Sequence, residues 1–303
     1  MKTILIFIFF TATICCAKAQ LSTAPTPTWR VTFKVVDDAG QPVAGAEASV
    51  GHSGTNQIVG LTDTNGVFVA SHKDKSFGLG FIVKKKGYYS FRQSYEMGWA
   101  YQYNQAKWNP TVQVLLNRII NPTPMYARSV NLGLPVFDTP AGFDLTLGDW
   151  VEPYGKGLNT DIIFTAHFDK RSRFDFDYKL VVGFPKLGDG IQIFLMSEQG
   201  SELRSCHEAP KMGYQSEIVR EHNERPDKIL KYDNDPKRIY LFRVHTVLDE
   251  KGNVKSGLYG KIYGDFMHFN YYLNPTPNDR NVEFDPKHNL SKNLNEFEGV
   301  SEP

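Results

Sequence analysis

An all-β chain built as two layered units is what the sequence predicts, and three observations carry the prediction. Apolar residues recur with a period of two in many short runs, the signature of strands with one buried face. Gly, Asn, Asp and Pro punctuate those runs at short intervals, as turns between strands require. At 303 residues and 41% hydrophobic content, the chain can fill two cores rather than one. The clearest run is residues 238–273. Tyr240, Phe242, Val244, Thr246 and Leu248 alternate there with Ile239, Leu241, Arg243, His245 and Val247. Residues 249–253 then supply a polar loop whose Gly252 and Asn253 reach positive φ at little steric cost. A return arm follows over residues 254–271, so the pattern predicts a hairpin with a long aromatic second strand at the centre of the C-terminal unit.

Taken in order, residues 1–19 carry Lys2, an apolar run from Ile4 to Phe10 extended by Ala12 and Ile14, and then Ala17-Lys18-Ala19. This is the tripartite plan of a secretory leader, with small residues where the peptidase cleaves, and it predicts a mature chain starting at Gln20 in a secreted or periplasmic location. A lipoprotein leader would want a small residue just before the modified cysteine, whereas Ile14 and Cys15 stand before Cys16. Cleavage leaves Cys206 alone and so excludes an intrachain disulfide. No other apolar run is long enough to span a bilayer. The formal charge is +1, and loss of Lys2 and Lys18 takes it to about −1, which argues against a nucleic-acid or anionic-membrane partner. Residues 20–28, rich in Pro and Thr, read as an extended linker.

The first unit is expected over residues 29–118. Val31, Phe33 and Val35 alternate with Thr32, Lys34 and Val36, and a polar break at Asp37 to Pro42 leads into a strand over residues 43–50. Two pieces recur at a fixed separation in a known family: Gly40-Gln41-Pro42-Val43-Ala44-Gly45-Ala46, and Thr62-Asp63-Thr64-Asn65-Gly66-Val67-Phe68. With these, residues 29–116 resemble the carboxypeptidase regulatory-like domain. The resemblance implies a small prealbumin-like or immunoglobulin-like β-sandwich that serves as spacer or assembly module beside another domain. An aromatic-rich insertion with Tyr95, Trp99, Tyr101, Tyr103 and Trp108 departs from the compact family pattern.

Residues 119–124 contain Asn121-Pro122-Thr123-Pro124, a stiff connector whose prolines cannot join a central ladder. The same four residues recur at Asn274 to Pro277 without a longer repeat around them, which reads as coincidence. The second unit, residues 125–285, is expected to be a larger β-sandwich or jelly-roll-like domain, with strands near 161–168, 173–182 and 190–197 before the hairpin. Residues 217–224 hint at a short helix, and residues 286–303 read as a loose polar tail.

Three sets of residues are candidates for chemistry. Regulatory-like modules often accompany zinc carboxypeptidases, which need a His with a Glu three positions later, and this chain has none. Cys206, His207 and Glu208, with His222 and Glu224, are the soft and imidazole ligands nearest one another, but Cys206 and His207 would point to opposite faces of a strand. Among the carboxylates, Asp144, Asp149 and Glu152 lie near Trp150 and Tyr154, and Asp175 and Asp177 share a strand face. Two such groups beside aromatic rings are what a glycoside hydrolase uses. The rings themselves are the third set. Trp150, Tyr154, Tyr259, Tyr263 and Tyr271 are candidate binding residues, the last three on one strand face with Lys261 and Asp265 between them. That face is a binding surface if open and core if covered. The expectation is a binding or adaptor protein that recognises a surface glycan or envelope protein, with no cofactor or metal. A carbohydrate-active hydrolase and a purely structural envelope component are the alternatives.

Overall fold

The computed structural model describes residues 28–52, 55–73, 78–96, 110–196, 200–233 and 235–303. The expected leader, the linker up to residue 27 and most of the aromatic insertion lie outside the described residues. All regular structure among the described residues is strand, and no described helix is long and apolar enough to cross a membrane.

Seven strands open the chain: β1 (Thr28–Asp37), β2 (Glu47–His52), β3 (Thr55–Leu61), β4 (Val67–Lys73), β5 (Gly78–Lys84), β6 (Phe91–Glu96) and β7 (Thr111–Leu116). They form a three-stranded sheet in the order β4-β1-β7 and a four-stranded sheet in the order β3-β2-β5-β6. The alternation read in β1 is real: Val31, Phe33 and Val35 are buried while Arg30 and Lys34 between and beside them are exposed. Phe33 meets Phe81 of the opposite sheet edge-on, with ring centroids 5.0 Å apart. The turn motifs do structural work. Thr62 Oγ1 donates to Val43 O (2.6 Å) and accepts from Ala46 N (2.8 Å), while Asp63 Oδ1 accepts from Asn65 N and Val67 N. Gly66 sits at φ +72°, and a Cβ there would lie 2.3 Å from Val35 O.

Eleven further strands follow: β8 (Tyr126–Asn131), β9 (Ala141–Asp144), β10 (Asp149–Trp150), β11 (Ile162–Ser172), β12 (Asp175–Gly183), β13 (Gly190–Leu195), β14 (Glu217–Arg225), β15 (Lys228–Tyr232), β16 (Arg238–Leu248), β17 (Val254–Gly264) and β18 (His268–Leu273). A six-stranded sheet, β10-β9-β11-β12-β14-β15, packs on a five-stranded one, β13-β16-β17-β18-β8. Phe143, Phe164, Leu180 and Val182 from the first face Phe242, Ile262, Phe269 and Tyr271 from the second. The protein is thus an all-β chain with more than one β-sandwich.

Four expectations change here. The return arm is not one strand. It breaks at Gly264, at φ +117° with a Cβ position 2.2 Å from His268 O, and turns back as β18. Residues 217–224 are extended, because they pair along β12 from Gly183↔Glu217 to Phe176↔Glu224. The tail is not loose: Leu290 N donates to Met125 O, Ser129 N to Glu298 O, and Val300 is buried. β16 is buried on both faces rather than one, since residues 203–209, 282–284 and the tail cover the outer side of the five-stranded sheet.

That covering layer also joins the sandwiches. Glu283, fully buried, accepts from Tyr89 Oη (2.7 Å), Ile120 N (2.9 Å) and Asn121 N (2.8 Å). Burial and this carboxylate hold the Tyr89 phenol well above its usual range. The two Asn-Pro-Thr-Pro segments meet on one residue: the Asn281 side-chain amide donates to Asn121 O, and the Asn281 backbone carbonyl accepts from Asn274 Nδ2. Their likeness therefore has a shared structural partner.

Candidate functional site

The loop from Asp144 to Asp161 builds one wall of an open groove, and Asp144 and Asp149 are spent on building it. Asp144 is buried and accepts four backbone N–H groups, from Thr146, Leu147, Leu158 and Asn159, at 2.8–3.0 Å. Asp149, its register partner across β9 and β10, accepts from Trp150 N and Lys156 N. A carboxylate so engaged is a loop organiser, with little capacity left to attack or protonate a substrate. Asp175 and Asp177 lie at the end of the β11–β12 hairpin, in an exposed network with Arg171 and Arg225. The arginines hold the Asp177 carboxyl below its usual range. These four carboxylates therefore divide between two places and are engaged in both, while the fifth candidate, Glu152, is exposed in the loop.

The predicted ring face is covered. Tyr271 projects to the opposite side of the sheet from Tyr263 and is core between the two sheets, 6.4 Å from Phe143. Tyr263 lies under the covering layer, where its hydroxyl contacts Ser205 Oγ and donates to Pro303 O while the Arg204 guanidinium stacks 4.1 Å from its ring. Tyr259 packs near Tyr214. Tyr259, Tyr263 and Tyr271 are thus corrected from binding candidates to core, because the sheet they stand on is buried on both sides. Tyr154 is exposed in the loop but outside the groove lining. Lys261, between the tyrosines, is fully buried.

Trp150 is the predicted ring that reaches a concave surface. Its indole is half-buried and held edge-on against Phe143 (5.4 Å) and Phe164 (5.7 Å). The groove it lines has a volume of about 600 Å³ and draws Arg128 and Asn131 from β8, His268 from β18, and Asn295, Phe297 and Glu298 from the tail. Phe297 is 80% exposed, and Asn295 Oδ1 accepts its backbone N–H. Glu298 pairs with Arg128 at 3.2 Å and accepts from Asn295 N. Two rings with amide, imidazole, guanidinium and carboxylate groups around them can hold a flat, apolar-faced, hydroxyl-rich molecule. Apart from Trp150, these residues escaped the sequence reading because they come from three distant segments, one of them the supposed loose tail. Phe297, a large ring in a polar stretch, was the signal available.

The cysteine and histidine candidates separate. Burial pushes the Cys206 thiol up, His207 Nε2 contacts Arg118 O, and His222 sits between the Phe176 and Tyr232 rings. Among the described residues, no group of three or more His, Cys, Asp or Glu side chains is placed to hold a metal ion.

No protein-family model matches the chain, and neither does any curated protein. Similar solved structures include a DUF3823 family protein from Bacteroides ovatus ATCC 8483, at 9% identity and TM-score 0.23 over 82% of this chain and 96% of that one. Another, from Parabacteroides merdae ATCC 43184, matches at 8% identity and TM-score 0.22 over 86% and 100%. The 3-chlorocatechol 1,2-dioxygenase from Rhodococcus opacus 1CP matches at 15% identity and TM-score 0.26 over 32% of this chain. The alignments span 54–63% of the length of the catechol and chlorocatechol dioxygenases. These likenesses assign neither substrate nor partner.

Proposed function

We propose that this is an exported binding protein whose second sandwich holds a carbohydrate in the Trp150 groove, while the first sandwich serves as an assembly module. The observation that carries the reading is the groove itself: a fixed indole wall, an exposed Phe297 opposite polar side chains, and a volume of about 600 Å³ that suits a small-ligand site. The leader pattern supports export, and the resemblance of residues 29–116 to the carboxypeptidase regulatory-like domain supports the module's role. The clamp of Glu283 on Tyr89 and the connector supports a module that holds the groove at a set distance and orientation from whatever it docks on. Retention of the mature protein on a panel of immobilised polysaccharides tests the reading. At least one should retain the wild type, and Trp150→Ala and Phe297→Ala should each reduce retention while Tyr154→Ala leaves it unchanged. Absence of retention across the panel, or retention indifferent to both groove variants, would sink it.

A further inference from the structure

A second concavity, of about 230 Å³, opens at the same end of the sandwich and shares His268 with the Trp150 groove. Three guanidinium groups line it: Arg204 from the segment after β13, Arg220 from β14 and Arg238 from the start of β16. Arg220 stands two residues from Ile218, a residue packed on the inter-sheet core, so its side chain enters the sandwich and is only 8% exposed. Interior arginines need acceptors for a whole fork of N–H donors. The protein supplies few. Arg238 Nη1 donates to Asp233 Oδ1 at 2.8 Å, Arg220 Nη1 lies 3.4 Å from Asp233 Oδ2, and Arg204 Nη2 reaches Glu302 Oε2 at 2.5 Å. Beyond the Asp233 carboxylate and the Tyr240 hydroxyl, which lie beside the Arg220 guanidinium, no acceptor is aligned on Arg220 Nη1, and Arg204 Nε and Arg238 Nε are buried without a hydrogen-bond acceptor. Native structures leave few such donors. The acids on the rim do not serve them: Asp265 accepts from Met267 N and His268 N, and Asp235 from Lys237 N.

We propose that this cleft is an oxyanion site for a sulfate or phosphate group, and that the ligand of the neighbouring groove is a glycan bearing that group. The second half rests on the carbohydrate reading of the Trp150 groove. Planar guanidinium forks match the oxygens of such a group in pairs. Arg220, the most enclosed of the three, is the fixed member. Arg204 and Arg238, with side chains 31% and 19% exposed, turn toward the anion. Glu302, 48% exposed, is the carboxylate the anion displaces from Arg204.

Calorimetric titration of the full mature protein tests both halves, using inorganic sulfate and phosphate in one arm and a sulfated polysaccharide with its desulfated form in the other. The expected result is saturable binding of at least one inorganic anion, weakened about tenfold or more in Arg238→Gln and strengthened in Glu302→Gln. The sulfated polymer should bind about tenfold tighter than the desulfated one, an advantage that Arg238→Gln abolishes, while Trp150→Ala weakens both polymers. If Arg238→Gln fails to fold, Arg204→Gln replaces it. Binding of inorganic anion with no polysaccharide binding keeps the cleft and removes the groove reading. Trp150-dependent binding of the desulfated polymer, with no sulfate advantage and no binding of either inorganic anion, removes the cleft proposal and keeps the groove.

Discussion

Replacing Lys261 with Met should stabilise the protein at neutral and acid pH and lose its effect in alkali. The side chain stands on β17 under the covering layer with no solvent exposure. Its amine donates to Ser205 Oγ at 3.3 Å and lies 5.0 Å and 4.9 Å from the Tyr263 and Tyr272 rings. Desolvation pushes its pKa down from 10.5 to about 7, with Arg204 adding repulsion and Cys206 and Glu283 opposing the shift. A shift of that size corresponds to about 5 kcal/mol of penalty on the charged form. The sign follows from proton counts. Between pH 7 and 10.5 the unfolded chain holds a proton that the native state releases, so wild-type stability climbs with pH across that window. Below pH 7 both states are protonated and the full penalty persists. A methionine of similar length removes the charge and keeps the packing. Urea unfolding of both proteins at pH 6, 7, 9 and 10.5 should show Lys261→Met ahead by several kcal/mol at the two lower values, with the gap closing towards pH 10.5. A gap independent of pH, or a Lys261 amine that titrates near 10.5 by NMR, would refute the reasoning.

Three further predictions concern the fold. His245, at φ 56° in an irregular stretch of β16, contacts Asp161 Oδ1 through Nε2 at 2.6 Å, and that bond raises the imidazole pKa above 6.5. The interaction should support the native state at pH values below the ordinary histidine range and fade as pH rises through the elevated pKa; NMR titration should find the value raised in the wild type and lowered in Asp161→Asn. Glu283→Gln turns an amide NH₂ toward backbone donors that need an acceptor, so it should cost about 1–3 kcal/mol in urea unfolding and, by calorimetry, loosen the coupling between the two sandwiches. Gly66→Ala puts a Cβ against Val35 O at positive φ and should cost more than about 1 kcal/mol, whereas Gly252→Ala, with open space around its Cβ position, should cost less.

How legible the molecule was depends on where its information lies. The β1 alternation and the Asp63–Gly66 turn were readable because burial and hydrogen bonding there are local. β14 was misread because its inward positions include Arg220 and His222, so the expected apolar alternation is absent. The tail hid its attachment in side chains that imitate backbone. Asn289 donates to Ala127 O at 2.8 Å and accepts from Ala127 N at 3.2 Å, pairing with the edge strand β8 as another strand would. Tyr259 and Tyr263 were correctly placed on one strand face, but the layer that covers them comes from residues 203–209, 282–284 and 300–303, which no local pattern could bring together. Trp150 could be singled out because its ring and the neighbouring turn residues are adjacent in sequence, while Arg128 and Phe297 reach the same concavity only through the fold.

The proposal that the Trp150 groove holds a carbohydrate is tested most directly by calorimetric titration of an oligosaccharide of the best-retained polysaccharide into the wild type and Phe297→Ala. Covering a phenylalanine ring is worth about 1.5–3 kcal/mol, and Phe297 is largely exposed with no core role. The account predicts a fall in affinity of about tenfold or more at unchanged thermal stability. Equal affinities for the two proteins would contradict it.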